Sequence, residues 1–386
     1  MKIGIVVPHI FMQRDILPHV IFSPAPLALE LAEGLQASGA EVTLFTPGPV
    51  DTHVANVTAD LSLFRQELDV RGDTYIGLLK KHPMTFISLA RQVQAELVAE
   101  AFARANAGQL DIVHIYTNEE DIALPFAALC TKPVVFTHHD PFNFMVKYKN
   151  VFPKYAHLPW ISISLAQRHG MPSNTNWAAT IYHGVPSGRF TPVLVPENTE
   201  RTPYIAYLGR IIQPKGTHLA IQAVQAYNRS HAGNELTLKI AGKHYAGAKD
   251  SYWRDTIQPL LADPFITYEG FIRTTQEKQA FLGNAQALII PSTFEEPFGM
   301  VSIEALACGT PVIGLDSGAI PEVIQHGKTG YVAAKQPEEQ GTIQALADAI
   351  SRIPAISREA CRNDFDARFT TNRMCQEHMA AYRSLV

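Results

Sequence analysis

The sequence predicts an α/β protein that contains two parallel β-sheets, one in each half of the chain. Three observations support this prediction. Short apolar segments typical of strands alternate with amphipathic segments typical of helices, the alternation occurs twice, and a polar segment with several prolines separates the two series. Because the chain has 386 residues, two or three domains with sizeable cores are expected.

The first half of the chain contains a series of short apolar segments that we interpret as strands. They lie at residues 2–7, 41–45, 111–115, 133–137, 160–164 and 178–182. Helical segments fall between them, most clearly at residues 25–37 and 86–105. Apolar strands that alternate with amphipathic helices form parallel sheets covered on both faces, so we expect helices on both sides of this sheet.

The second half repeats the alternation. Its predicted strands lie at residues 204–208, 236–241, 266–268, 287–290, 311–313 and 331–333. A helix at 217–227 has an apolar side, and a last helix is expected at 374–385. The segment from Pro186 to Pro203 is polar and includes Pro192 and Pro196, which predicts a linker between the two halves.

The composition is that of a soluble globular protein, with 46% hydrophobic and 18% charged residues. A net charge of -4 argues against a nucleic-acid-binding protein, which usually has a basic face. The cysteines are widely spaced and form no Cys-x-x-Cys pair, so neither a zinc site nor a disulfide framework is indicated. They are Cys130, Cys308, Cys361 and Cys375. Reduced thiols predict a cytoplasmic location.

Neither a secretory signal nor a membrane span is predicted. The apolar run at residues 3–7 is too short for a secretory core, and His9 and Arg14 soon interrupt it. No uninterrupted apolar stretch is long enough to cross a bilayer.

Two carboxylates flank a predicted helix start in the second half of the chain. Glu296 lies in the loop before the helix, and Glu304 lies one turn or more inside it. Free backbone amides and the helix dipole favour an anion at such a position. A nucleotide-sugar fits this arrangement, because one acid can bind sugar hydroxyls, the amides a diphosphate, and the second acid a ribose diol. The alternative is an ordinary loop-to-helix junction, with Glu304 exposed and Glu296 capping the helix.

A second polar segment follows the strand at 204–208. Its loop begins at Gly209 and carries Arg210 and Lys215 just before the helix at 217–227. Two cations on one strand-to-helix loop are suited to neutralising a diphosphate, since arginine offers a fork that matches phosphate oxygens and lysine a mobile point charge.

Together these two segments resemble those of the retaining glycosyltransferases of family 4. The opening strand at residues 2–8 and the segment Tyr182-His183-Gly184-Val185-Pro186 add to the resemblance, which covers nearly the whole chain. It implies the α/β fold called GT-B, with two Rossmann-like domains whose parallel sheets face an interdomain cleft. Residues 1–186, completed by a C-terminal helix at about 368–386, would form the acceptor domain; residues 187–203 would form the linker and residues 204–367 the donor domain.

The resemblance implies a role for each matching residue. Arg210 and Lys215 are expected to contact the donor diphosphate, Glu296 the hydroxyls of the donor sugar, and Glu304 the ribose. His139, which follows the strand at 133–137, is expected to contact the donor sugar from across the cleft. Catalytic roles are therefore expected for Glu296, His139, Arg210 and Lys215.

The resemblance also implies further contacts with the donor. Backbone amides near the helix start are expected to help bind the donor, and residues after the strand at 266–268 to contact the nucleobase. The first group is Phe298, Gly299, Met300 and Val301; the second is Phe271, Ile272 and Arg273, to which Lys243 adds a phosphate contact. A solvated loop lysine and an exposed arginine are the alternatives for Lys243 and Arg273.

The first half of the chain contains further candidate residues for the functional site. His138 is the alternative to His139, and Asp140 is expected to hold the imidazole or a loop amide; a capped loop after a strand is the plain alternative. The family has a glycine pair between its opening strand and first helix, but residues 22–27 here read Phe-Ser-Pro-Ala-Pro-Leu. This departure leaves the acceptor undefined: a sugar, a lipid-linked molecule or a small molecule.

The resemblance implies transfer of a sugar from a nucleotide diphosphosugar, with a UDP-sugar as the default donor. Retention of anomeric configuration, front-face attack and no metal or other cofactor are expected, because fixed cations would stabilise the leaving diphosphate. The alternatives are a sugar-nucleotide epimerase, a phosphorylase and a non-catalytic nucleotide-sugar-binding protein. Contact with the inner face of the membrane is expected to be peripheral at most, since acids balance the few basic groups of the first half.

Overall fold

The structure, a computed structural model, describes residues 1–12, 22–117, 120–195, 203–244 and 250–386. The chain divides into two compact units. The first consists of Met1–Tyr182 together with Thr371–Val386, and the second of His183–Thr370.

The first unit is built on a seven-stranded sheet in the order β3-β2-β1-β4-β5-β6-β7. All of its strand pairs are parallel. The strands are β1 Lys2–Val6, β2 Glu41–Thr46, β3 Ala55–Thr58, β4 Ile112–Tyr116, β5 Val134–Thr137, β6 Trp160–Ser162 and β7 Trp177–Thr180. The edge strand β3 was not predicted, because its residues are partly exposed and its sequence has no apolar run.

Helices cover the sheet of the first unit. They are α1 Pro24–Ala37, α2 Ser62–Arg71, α3 Tyr75–Lys81, α4 Pro83–Asn106 and α5 Val146–Val151, with shorter turns at Ile10–Met12, Glu120–Ile122, Leu124–Leu129, Phe152–Tyr155 and Ala166–Arg168. The C-terminal helix, Thr371–Leu385, packs against α1. A Cβ atom added to Gly34 of α1 would lie 2.4 Å from Cys375 Sγ, so glycine permits this close approach.

The second unit has a six-stranded parallel sheet in the order β10-β9-β8-β11-β12-β13. The strands are β8 Tyr204–Leu208, β9 Thr237–Ala241, β10 Ile266–Gly270, β11 Ala287–Ile290, β12 Val312–Leu315 and β13 Gly330–Ala333. The helices are α6 Thr217–Ser230, α7 Gln258–Leu260, α8 Thr275–Gly283, α9 Met300–Ala307, α10 Ile320–Val323, α11 Glu339–Arg352 and α12 Arg358–Arg368. A π-helix at Tyr252–Ile257 leads into α7, and short turns lie at Gln213–Lys215 and Ile353–Ala355. Each strand predicted for this half is present, which confirms the two-sheet α/β fold.

Part of the segment expected to be a linker belongs to the second unit. The Arg362 guanidinium donates to the carbonyls of Phe190, at 2.8 Å, and Ser187, at 3.0 Å. The Val193 amide donates to the Cys308 carbonyl at 2.9 Å. Residues 187–195 are therefore held against this unit, whereas residues 196–202 lie outside the described residues.

The strand order of the second unit fixes where the loops with the predicted site residues lie. The chain runs from β8 outward through β9 to the edge strand β10, and then crosses to β11 on the other side of β8. Ligands of such sheets bind at this switch point, beyond the carboxyl ends of the strands. The loops after β8 and β11, which carry the predicted cations and Glu296, therefore begin at the switch point. Across the described residues, no helix is both long and apolar enough to cross a bilayer.

Candidate functional site

The loops that follow β8 and β11 are bound to each other through their backbones. The Pro214 carbonyl accepts hydrogen bonds from the amides of Thr293, at 2.9 Å, and Phe294, at 3.2 Å. Gly216 ends the first loop with a φ of +69°, and a Cβ there would lie 2.0 Å from the Pro291 carbonyl oxygen. Glycine is therefore required for this close approach of the two loops.

This approach brings Lys215 and Glu296 together. The Lys215 ammonium donates a hydrogen bond to Glu296 Oε1 and lies 5.7 Å from the centre of the Phe294 ring. Glu296 is only 7% exposed, and its carbonyl accepts from the Ala319 amide at 2.8 Å. A Cβ on Gly318 would lie 2.4 Å from the Glu296 nitrogen. The loop after β12 thus fixes the backbone that carries this carboxylate.

Glu304 lies in the second turn of α9, as its spacing from Glu296 predicts. Its Oε1 accepts a hydrogen bond from Lys278 of α8 at 2.7 Å. Its Oε2 is buried and has no hydrogen-bond partner among the described residues. The alternative of an exposed Glu304 is wrong, since only 13% of its side chain is exposed.

The start of α9 offers backbone amides beside Glu296. Gly299 precedes the helix with a φ of +97°, and the first helical residues are Met300 and Val301. The amides at a helix start have no carbonyl partner within the helix, and the dipole there favours an anion. The Phe298 side chain is buried and packs against His183 and Phe369, with ring centres 5.1 and 6.2 Å away, so it anchors this loop.

The loops after β8 and β9 also lie side by side. The Ile211 amide donates to the Lys243 carbonyl at 3.0 Å, and the Tyr207 hydroxyl donates to the Arg210 carbonyl at 3.1 Å. Burial raises the pKa of Tyr207 well above its ordinary value, so the phenol stays protonated as a donor. Both the Arg210 and the Lys243 side chains are exposed, which places two cations on adjoining loops.

The residues expected near a nucleobase follow β10, the edge strand. Phe271 is 46% exposed, Ile272 is half-buried and Arg273 is exposed. The Arg273 amide donates to Glu277 Oε2 at 2.9 Å, which ties the segment to the first turn of α8. Within the part of the chain that the structure describes, no hydrogen bond or ion pair joins these residues to Glu296 or Lys215.

His139 belongs to the first unit, in the loop after β5. It is 9% exposed, and its ring packs edge-on against Tyr116 with centres 4.4 Å apart. Gln167 Nε2 donates to the carbonyls of His138, at 2.7 Å, and Asp140, at 3.0 Å, so this side chain clasps the peptide on both sides of His139.

The neighbouring His138 has a different environment. Its ring packs against Phe142, Tyr148 and Phe152, with centres 4.7 to 5.2 Å away. Burial among these rings lowers the pKa of His138 to about 4, so the imidazole is neutral at physiological pH. This position favours a packing role for His138.

Reasoning from the sequence did not identify two polar residues that contact the candidate site residues or their loops. Lys278 follows a Thr274-x-x-Glu277 pattern, and a capping box does form there, so the start of α8 was detectable. Its partner, Glu304, lies on another helix, and no local pattern joins them. Gln167 carries no sequence signal at all, since it acts on a loop distant in the chain. Among the described residues there is no group of three or more His, Cys, Asp or Glu side chains able to hold a metal ion.

Two family models match the chain. The model of Glycosyltransferase Family 4 matches residues 26–191, and that of Glycosyl transferases group 1 matches residues 195–364. The first region includes His139; the second includes Arg210, Lys215, Glu296 and Glu304.

Individual relatives extend the comparison. The chain is 31% identical over 186 residues to glycogen synthase from Mycobacterium tuberculosis (strain CDC 1551 / Oshkosh), which covers 46% of this chain and 43% of that protein. The match thus spans less than half the length of that relative. A D-inositol 3-phosphate glycosyltransferase from Pseudarthrobacter chlorophenolicus is 25% identical over 332 residues, or 78% of this chain and 76% of that one.

A solved structure shares the fold over the full chain. It is that of HepE from Anabaena in complex with UDP and glucose, which aligns over 100% of both chains with a TM-score of 0.69 and 17% identity.

Proposed function

Since the chain belongs to the family 4 glycosyltransferases and has their GT-B fold of two Rossmann-like domains, we propose that it transfers a sugar from a nucleotide diphosphosugar to an acceptor with retention of anomeric configuration. The observation that carries this proposal is the Lys215–Glu296 pair beside the start of α9. It puts a cation, a carboxylate and free amides of a helix start on one pair of bound loops.

Lys215 suits a role in binding the donor diphosphate. Its ammonium has three N–H donors, so it can keep its hydrogen bond to Glu296 and also donate to a phosphate oxygen. Arg210 on the same loop adds a fork for phosphate oxygens, and the amides at the start of α9 add donors that need no reorganisation. Glu296 then accepts hydrogen bonds from sugar hydroxyls next to the diphosphate.

The reaction follows from this distribution of charge. An acceptor hydroxyl attacks the anomeric carbon on the face from which the diphosphate departs, the bond from that carbon to the diphosphate oxygen breaks, and the hydroxyl proton passes to the departing diphosphate. Negative charge grows on the leaving group, where Lys215, Arg210 and the α9 amides stabilise it. Fixed cations supply this stabilisation, so we propose that no metal is required.

The proposal also extends to the identity of the donor, its contacts and the acceptor. A UDP-sugar is proposed as donor because UDP and glucose are bound in the structure of HepE. Arg273 and Phe271 are proposed to contact the nucleobase, and His139 of the first unit the donor sugar. The acceptor, whether a sugar, a lipid-linked molecule or a small molecule, is proposed to be chosen by the first unit.

The test is a ligand panel on the purified protein in EDTA. A nucleotide or nucleotide sugar present at a hundredfold excess over its dissociation constant should raise the free energy of unfolding by about 2.7 kcal/mol, which a thermal melt detects. Each sugar nucleotide that shifts the melting temperature is then assayed for nucleoside diphosphate release, with and without simple sugars as acceptors.

The proposal predicts one preferred base, release of nucleoside diphosphate in EDTA and an α-linked product from an α-linked donor. A requirement for added metal would contradict the metal-free scheme. Nucleotide binding without any turnover would favour a non-catalytic binding protein, and turnover only with inorganic phosphate would favour a phosphorylase. No shift with any ligand would contradict the site itself.

A further inference from the structure

The first turn of α8 is held in place by a capping box. The Thr274 hydroxyl accepts from the Glu277 amide at 3.1 Å, and Glu277 Oε2 accepts from the Thr274 amide at 2.9 Å. Lys278 is the next residue. Beside it, Gln279 Oε1 accepts from Cys308 Sγ, at the end of α9, at 3.8 Å. Helices α8 and α9 therefore present Lys278 and Glu304 to each other from fixed backbones.

The two oxygens of Glu304 are in different states. Oε1 receives a charge-assisted hydrogen bond of 2.7 Å from Lys278, whereas Oε2 is buried without a hydrogen-bond partner among the described residues. A buried carboxylate oxygen without a donor costs free energy. An ion pair built only to join two helices gains nothing from leaving that oxygen unsatisfied. A ligand that brings a hydroxyl donor would satisfy it.

We propose that Lys278 is a positioning residue, which holds Oε1 of Glu304 so that Oε2 faces the ribose hydroxyls of a nucleoside diphosphate. The proposal rests on the proposed function, and it deepens it by assigning a role to a side chain that no motif marks. The positive charge of Lys278 balances the carboxylate while its hydrogen bond selects one rotamer. Without Lys278, Glu304 remains chemically intact but is no longer oriented toward the diol.

The experiment measures affinities by calorimetry for ribonucleoside diphosphates and their 2′,3′-dideoxy counterparts: UDP, ADP and GDP, each with its dideoxy form. The wild-type chain is compared with Lys278→Met, Lys278→Arg and Glu304→Gln. Lys328→Met, which changes an exposed lysine of the same unit, is the matched control. Thermal melts establish that each variant is folded before binding is measured.

We expect Lys278→Met to weaken binding of the preferred ribonucleotide roughly tenfold and to leave the dideoxy form within about twofold, since only the ribose form uses Oε2. Lys278→Arg should restore most of the loss, because arginine can also donate to Oε1. In the double variant Lys278→Met/Glu304→Gln, the loss should be no larger than in Glu304→Gln alone.

Two outcomes would overturn the inference while the proposed function stands. Equal weakening of ribo and dideoxy forms would mean that Lys278 acts on the phosphates or on the fold, and unchanged binding of both would mean that Glu304 needs no positioning. If the wild-type chain binds none of the ribonucleotides, the proposed function fails, and this inference fails with it. The ratio of the two affinities therefore separates the two hypotheses.

Discussion

The two units differ in the side chains that hold some of their buried polar groups. In the first unit, neutral side chains make several of these connections, as where His114 Nδ1 bonds to the Tyr382 hydroxyl at 2.6 Å and Nε2 to Thr137 Oγ1 at 2.8 Å. In the second unit, charged side chains do so, as where Arg358 donates to the carbonyl of Ala285 and the hydroxyl of Thr310, both at 2.8 Å. A neutral histidine becomes charged when acid protonates it, whereas an arginine keeps the same charge at all working pH values.

The difference extends to the candidate site residues. His139 is fixed by packing and by Gln167, which is neutral, while Glu296 and Glu304 are each fixed by a lysine. The second unit therefore contains both charged side chains that hold its backbone and the charged candidate site residues. Substitutions in the second unit should lower turnover most. Substitutions in the first unit should chiefly change the stability of the protein and the dependence of that stability on pH.

The largest effect is expected for the Lys215–Glu296 pair. Lys215→Ala removes the cation that we propose stabilises the leaving group, and Glu296→Ala removes the carboxylate that we propose contacts the donor sugar. Each should lower kcat/KM by roughly 10²- to 10³-fold, the usual cost of removing one preorganised electrostatic contact. The measurement is steady-state nucleoside diphosphate release with the preferred donor.

Lys328→Ala serves as the control, since it removes an exposed lysine elsewhere in the second unit. It should leave the rate within about twofold, the range of ordinary surface substitutions. A rate for Lys215→Ala similar to that of the control would remove the pair from the mechanism.

The residues of the candidate site in the second unit could be located from the sequence because each pair lies within one short segment of the chain. Arg210 and Lys215 share one loop after a clear apolar strand, and Glu296 and Glu304 flank one helix start. Strand, loop and helix can all be recognised locally, so their positions follow from spacing. What spacing could not show is that Lys215 contacts Glu296, because that contact depends on how the Pro214 carbonyl receives the loop after β11.

The next largest effect concerns the stability of the second unit. Arg358→Met removes a guanidinium that binds the carbonyls of Val193, Gly283 and Ala285, and leaves those acceptors without it. The free energy of unfolding should fall by about 3 kcal/mol, as is common when a buried hydrogen-bonded network is broken. Urea denaturation at neutral pH measures it.

A control for Arg358→Met is Arg254→Met, whose guanidinium pairs with the adjacent, exposed Asp255. Because exposed ion pairs contribute little, no measurable change in the urea midpoint is expected. Equal effects of the two substitutions would show that the guanidinium contacts of Arg358 do not stabilise the unit.

Acid should destabilise the first unit before the second. Burial lowers the pKa of His138 and His378 to about 4, below the ordinary value of 6.5, with Asp140 and Asp121 opposing the shift at His138 and Lys147 adding to it. Below pH 6.5 the unfolded chain therefore binds more protons than the folded one, so stability falls as pH falls and the full loss is reached near pH 4.

At pH 5 each of these histidines should cost about 2 kcal/mol relative to pH 7. His138→Phe fits the surrounding rings and should reduce the loss between pH 7 and pH 5 by that amount. His157→Gln, at an exposed position of the same unit, is the control and should leave the loss unchanged. Hydrogen exchange should show the first unit opening earlier; earlier opening of the second unit would contradict the comparison.

The first unit was harder to predict for a physical reason. The sequence located the strand before His139, but not the residues that fix its loop, since the amide of Gln167 reaches it from 27 to 29 positions away. The apolar surroundings of His138 come from Phe142, Tyr148 and Phe152, whose packing depends on tertiary structure. Neutral contacts of this kind leave no charge pattern in the sequence, unlike the loops of the second unit.

The smallest effect is expected for a substitution of Gln167. This substitution tests whether the hydrogen bonds of an uncharged side chain to the His139 loop matter to function. Gln167→Met keeps the length of the side chain but removes the two hydrogen bonds to the carbonyls of His138 and Asp140, and the one that Oε1 accepts from the Ile163 amide. The expected cost is about 1 to 2 kcal/mol in unfolding free energy. Because the loop that carries His139 would then be less ordered, kcat should fall by roughly three- to tenfold, as expected for a lost positioning contact. Nucleoside diphosphate affinity should stay unchanged, since the residues proposed to bind it belong to the second unit.

Gln92→Met, at an exposed position of α4, controls for the substitution itself. If Gln167→Met lowers stability but leaves kcat unchanged, His139 is a structural residue and the functional side chains lie in the second unit. If it lowers kcat alone, packing in the first unit positions a residue that takes part in transfer.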